Sequence, residues 1–155
     1  MKSTIACFLL VLALSCNEKQ ANDGLKDERL FPRGERNQLT EHFSGKVWTY
    51  GIVPNDSVYH MLSGSVHFDA GAFTDWHSHP GGQILIITEG KGFYQEEGRE
   101  KRILKKGDVV KCLPNIRHWH GAIPNEGLTF IHIIPNTENG YLKWYNPVTY
   151  KEYAH

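Results

Sequence analysis

The run from Gly71 to Gly90 constrains this chain most: Gly71, then five residues, His77-Ser78-His79, three residues, Gln83, six residues and Gly90. Successive side chains of a strand point to opposite faces, so two histidines one residue apart share a face and their imidazoles converge. Converging imidazoles are the start of a metal site, and extended backbone is what brings them together. Gln83 lies an even number of residues beyond His79, and the Pro80-Gly81-Gly82 turn can return it to the same face. His118 offers a third imidazole from a separate strand. Three imidazole nitrogens and one amide oxygen suit Zn, Mn, Fe, Ni or Cu better than Ca or Mg. All four groups are neutral, so one bound divalent ion would keep its charge and favour oxygen-rich, and especially anionic, ligands; the alternative is that Gln83 weakens metal binding or stays uncoordinated.

His120 stands two residues after His118 and therefore faces the same interior. It is the candidate catalytic residue, a proton carrier with an ordinary pKa of about 6.5, and a pocket-shaping interior histidine is the competing reading. Parity puts Trp119 on the opposite face, in a packing role. One of Tyr94 and Gln95 faces inward, and parity does not say which.

Short strand-like runs fill the chain beyond Gly45: residues 46–53, 58–68, 83–88, 92–97, 99–105, 108–113, 118–123 and 128–134. Turn-forming residues separate them, Glu89-Gly90 and Lys106-Gly107 among them. Many short strands without a strong helical period predict an all-β sandwich or barrel. The 155 residues, 40% of them hydrophobic, support one compact domain and a short extra segment. Lys and Arg number 17, as do Asp and Glu, and neither sign forms a block, so nucleic acid is not an expected partner.

The N-terminus predicts export. Lys2 precedes an apolar run from Ile5 to Leu14, too short to span a bilayer but suited to a signal peptide over residues 1–15. Ala13-Leu14-Ser15-Cys16 resembles a bacterial lipoprotein box, which implies acylation of Cys16 and a periplasmic or outer-membrane-anchored product. Residues 16–40 are polar and interrupted by Pro32 and Gly34, and are predicted to form a mostly disordered tether ahead of a domain at 41–155. Cys112 is then the lone cysteine of the mature domain, read as a small hydrophobe in a strand.

The remaining histidines carry weaker expectations. His67, between Val66 and Phe68, is expected to face solvent, and His132 either lines the pocket or is a satisfied core histidine, with the core reading favoured. His42, His60 and His155 have no partner at useful spacing. Glu96 to Lys106 reads as a solvated hairpin.

The opening run fits the first motif of the cupins, Gly-x5-His-x-His-x3,4-Glu-x6-Gly, with Gln83 in the usual Glu position. The second motif is matched at Gly107 and His118, while Leu113, Asn115 and Ala122 depart from it. With Tyr94-Gln95-Glu96-Glu97-Gly98, His118-Trp119-His120-Gly121-Ala122 and Trp144-Tyr145-Asn146-Pro147-Val148, the chain resembles small cupins found alone or joined to carboxymuconolactone decarboxylase-like domains. The resemblance spans roughly residues 47–153 and implies a jelly-roll barrel, often a homodimer, with one divalent transition metal inside. It does not imply a reaction. Two expectations follow: a metal-dependent isomerase, lyase or oxygenase acting on a small molecule, or a non-catalytic cupin binding metal or metabolite at the cell envelope.

Overall fold

The computed structural model describes residues 29–37 and 40–154. The expected signal peptide, Cys16 and residues 17–28 lie outside them. Among the described residues twelve strands form: β1 (Glu35–Arg36), β2 (Phe43–Ser44), β3 (Val47–Val53), β4 (Met61–Phe68), β5 (Phe73–Thr74), β6 (His77–Ser78), β7 (Gln83–Glu96), β8 (Arg102–Lys105), β9 (Val109–Cys112), β10 (His118–Ala122), β11 (Leu128–Pro135) and β12 (Lys143–Trp144). One short helix, α1 (Tyr150–Ala154), follows them. Every pairing is antiparallel, and the strands run β1-β3-β4-β11-β7-β10-β5-β2, with β6, β8, β9 and β12 added at the sides. The sheet curls round on itself as the all-β cupin fold does.

β7 makes the curl. Residues 83–90 pair with β11 and β9, and residues 91–96 pair with β10 and β8, so one strand serves both halves. Two strands separated by a Glu89-Gly90 turn were expected here, and the structure corrects that to one continuous strand with a bend. Gly90 has φ 71°, and a Cβ on it would lie 1.9 Å from the Gly127 carbonyl oxygen. Only glycine allows that approach; beside it the β7–β11 register shifts between Thr129 and Phe130.

Alternation along the strands sorts side chains into an interior and an outer layer. Phe68, Leu85, Ile87, Tyr94, Val110, Leu128 and Phe130 form the buried interior. A second cluster of Phe73, Trp76, Trp119, Val148 and Tyr153 lies outside β10, where α1 covers it. Tyr153 fastens that helix by donating its hydroxyl to the Ala122 carbonyl at 2.9 Å. The chain also joins the sheet earlier than its polar composition predicts. Arg36 and Glu35 pair with Trp48 and Thr49, and Arg33 lies 4.2 Å over the Trp48 ring while bonding Asp69.

Candidate metal centre and its cavity

His77 comes from β6, His79 from the residue after it, Gln83 from the start of β7 and His118 from the start of β10. β10 pairs with β6 so that His118 stands opposite His77. One ring nitrogen each from His77, His79 and His118 lies within 4.8 Å of the others, and all three residues are buried. Gln83 Oε1 is 3.1 Å from His118 Nε2. The structure thus brings together every residue proposed from sequence as a ligand.

The hydrogen bonds on the far side of each ring decide which nitrogen faces inward. Nδ1 of His77 meets the Asp75 carbonyl at 2.9 Å, Nδ1 of His118 meets the Ile116 carbonyl at 3.0 Å, and Nδ1 of His79 meets the Tyr141 carbonyl. A carbonyl only accepts, so each Nδ1 carries the proton and each Nε2 presents a lone pair to the centre. His79 Nε2 is buried there with no partner. Gln83 Oε1 and His118 Nε2 likewise place two lone pairs in one small space, an arrangement that a cation reconciles. The donor set fits a transition metal, and His77, His79, Gln83 and His118 are the residues that would hold it.

Electrostatics point the same way. Burial holds His77 well below its ordinary value, with neighbouring imidazoles adding to the effect. Burial also pushes His118 down to about 3 and His79 to about 4. Neutral imidazoles are the form that ligates a metal. His120 is held well below its ordinary value too, first by burial and then by His118, His79 and His132. The expectation that His120 titrates near neutrality is therefore corrected, and at neutral pH it is a free base.

His120 differs from the other three because nothing orients it by its side chain. Both of its ring nitrogens are buried without a partner. Its backbone N–H donates to Thr74 Oγ1 at 3.2 Å, and its ring is boxed edge-on by Phe68 and Phe130 at 5.7 and 5.1 Å. It opens onto a cavity of about 160 Å³ whose lining includes Phe43, Leu62, Val66, Phe68, Phe130, Ile134 and Trp144 as well as His77, His79 and Gln83. Asn37, Thr49, Thr74, His132 and Tyr141 supply the polar remainder of the wall. Among the described lining residues none is Lys, Arg, Asp or Glu.

Several placements went beyond sequence reasoning. His132, expected in the core, faces the cavity, with burial depressing its pKa to about 4. Parity with Phe130 would have placed it there, since both point inward from β11. Its ring occupies the space above Gly64, where a Cβ would meet His132 Nε2 at 2.7 Å. His67, expected in solvent, is half-buried, with Nδ1 2.9 Å from Thr129 Oγ1 and Nε2 3.3 Å from Asp69. His42 has partners that spacing could not show, Trp144 and Asp75. Tyr94 rather than Gln95 faces inward, its ring 5.6 Å from His118 and its hydroxyl 2.5 Å from Cys112 Sγ.

The family model for the cupin domain matches residues 64–134, which contain the His77–Gln83 run and His118. The chain is also 37% identical over 112 residues to the (R)-mandelonitrile lyase of Granulicella tundricola, covering 68% of this chain and 86% of that protein. This chain belongs to the cupin superfamily. A solved cupin-like protein from Thermotoga maritima is 48% identical, with a TM-score of 0.78 over 81% of this cupin and 95% of that chain. The DMSP lyase of Ruegeria pomeroyi is 19% identical with a TM-score of 0.58, covering 78% of this cupin and 61% of that chain, and shares the fold alone. The recognition of an all-β cupin from the two motifs is confirmed.

Proposed function

We propose that this cupin is a metal-dependent lyase that cleaves a small, neutral α-hydroxynitrile into an aldehyde and hydrogen cyanide, and catalyses the reverse addition. The observation that carries the reading is His120, a buried imidazole with two unpartnered nitrogens beside the three-histidine cluster, facing an apolar cavity. The 37% identity to a mandelonitrile lyase supports the substrate class.

The substrate's chemistry matches those parts. A divalent ion held by His77, His79, Gln83 and His118 would act as a Lewis acid on a hydroxyl or carbonyl oxygen. His120, neutral and unpartnered, accepts the hydroxyl proton as the carbon–carbon bond to the nitrile breaks. The electron pair of that bond leaves on cyanide, the O–H electrons form the carbonyl, and the imidazolium returns its proton to cyanide. Atoms and charge balance without an oxidant or reductant. The aromatic walls of Phe43, Phe68 and Phe130 take the substrate's apolar body and exclude water. With no cationic side chain among the described lining residues, the cavity supports a neutral substrate rather than the anionic one expected from the ligand charges alone.

The protein, loaded with a transition metal, is expected to release benzaldehyde from (R)-mandelonitrile. His118→Ala should lose both metal and turnover. His120→Asn should retain metal and fold while kcat/KM drops about 10²–10⁴-fold, the range of general acid–base contributions. Metal-loaded wild-type protein that cleaves neither aryl nor alkyl hydroxynitriles would refute the lyase. Export with acylation at Cys16 is part of the same proposal, supported by the apolar run and the Ala13-Leu14-Ser15-Cys16 box. Wild-type chain that takes up labelled fatty acid no better than Cys16→Ser would remove it.

A further inference from the structure

The chain after β11 returns across the mouth of the barrel and is stitched to β6 and the residue after it, which carry two of the proposed ligands. Tyr141 supplies the carbonyl that orients His79, Lys143 pairs with Ser78, and Trp144 pairs with His77. Tyr145 N–H donates to the Trp76 carbonyl at 2.9 Å, and Trp76 N–H donates to the Asn146 carbonyl at 3.3 Å. Tyr141, Leu142 and Trp144 also line the cavity, so residues 141–146 are both its cover and a support for its ligands.

The support is slight. β12 has two residues, and a two-residue strand at the edge of a sheet is among the first elements to open. Arg117 bonds Asn146 Oδ1 at 2.7 Å and lies 4.3 Å over the Tyr145 ring, while His42 holds Trp144 itself. The His42 ring stacks on Trp144 with centroids 4.4 Å apart and planes 14° from parallel, and Phe43 meets the same indole edge-on at 5.6 Å. The inner side of that indole lies 5.2 Å from His77. His42 also grips Asp75, with Nδ1 3.3 Å from Oδ2 and its carbonyl accepting the Asp75 N–H at 2.9 Å. Asp75 is the residue whose carbonyl orients His77. Two arms from His42 therefore converge on one ligand, through Trp144 and through Asp75.

We propose that the His42–Trp144 stack is a latch: it holds residues 141–146 closed over the cavity and thereby keeps His77 and His79 aligned for metal. His42 is a positioning residue, acting through Trp144 and Asp75. The inference rests on the reading of His77, His79 and His118 as ligands. Coupling of this kind is reciprocal, so the factor by which latch closure raises metal affinity is the factor by which metal favours closure.

The test uses the full chain and Zn²⁺ alone, with release into excess chelator and amide hydrogen exchange of residues 141–146 as readouts. His42→Ala is expected to release Zn²⁺ about 10–100-fold faster, the usual effect of removing a group that orients a ligand. His42→Phe, which keeps a flat ring on Trp144 and loses only the Nδ1 contact to Asp75, should restore most of the slow release. Zn²⁺ should slow exchange at 141–146 in wild type, and this comparison decides the matter if His42→Ala does not fold. Exchange that is the same with and without Zn²⁺, or His42→Phe releasing as fast as His42→Ala, overturns the latch while leaving the metal site standing. Wild-type protein that binds no Zn²⁺ overturns both.

Discussion

The two faces of β10 are buried to the same degree and used in opposite ways. His118, Trp119 and His120 are 0%, 0% and 4% exposed. On the outer face Trp119 meets Phe73 at 6.3 Å and Tyr153 at 6.2 Å, and its indole N–H donates to Gln95 Oε1 at 2.9 Å. Every part of that side chain is packed or bonded. On the inner face one residue to either side, His120 leaves two nitrogens unpartnered, and His118 Nε2 faces the Gln83 oxygen lone pair. Burial on one face yields stability, and on the other it stores unmet coordination for a ligand.

Breaking the packed face should have the largest effect. Trp119→Ala removes a fully buried indole from between sheet and helix, and is expected to cost about 3–5 kcal/mol in denaturant unfolding. A loss under about 1 kcal/mol would show that the outer face is not the stabilising one.

Acid should act through the inner face. Burial depresses His79 to about 4 and His118 to about 3, so both stay neutral in the fold while the unfolded chain takes up protons below about 6.5. Their penalty is absent above about pH 6.5, grows as pH falls, and levels off only below the folded values. At about 1.4 kcal/mol per unit, His79 alone accounts for a loss of about 3 kcal/mol between pH 6.5 and 4. In the folded protein, protons should compete with bound metal only as pH approaches those folded values, at about 4 and below. Metal-free protein with constant stability from pH 6.5 to 4 would contradict a cluster held neutral by burial.

The smallest effect sharpens the contrast most. His120→Leu removes two unpartnered nitrogens from an apolar wall, and should raise the stability of metal-free protein by about 1–2 kcal/mol while abolishing turnover. A substitution that stabilises the fold and destroys activity separates the two faces more cleanly than either loss alone. A destabilised His120→Leu would mean that the inner face is packed like the outer one.

Much of this was legible in one dimension because strand geometry has a period of two. His77 with His79, and His118 with His120, are pairs whose common face follows from parity, and Trp119 on the opposite face follows equally. The same rule applied to Phe130 and His132 puts His132 in the cavity; its apolar context favoured the core over the pocket-lining reading, and the structure supports the latter. Gly90 misled for a different reason. A glycine at positive φ serves a turn or a bend equally, and the choice between them depends on how close Gly127 comes from another strand.

Most strands, the all-β cupin barrel and the histidine and glutamine side chains that meet inside it could be read from spacing alone, because spacing along an extended chain is local information; β1 and the continuity of β7 could not. The proton on each imidazole, the neutrality of His120, and the cover formed by residues 141–146 with His42 behind Trp144 all came from long-range contacts. Those properties depend on which carbonyl or ring arrives from a distant part of the chain. His79 and Tyr141 are 62 residues apart, and no periodicity reaches across that separation.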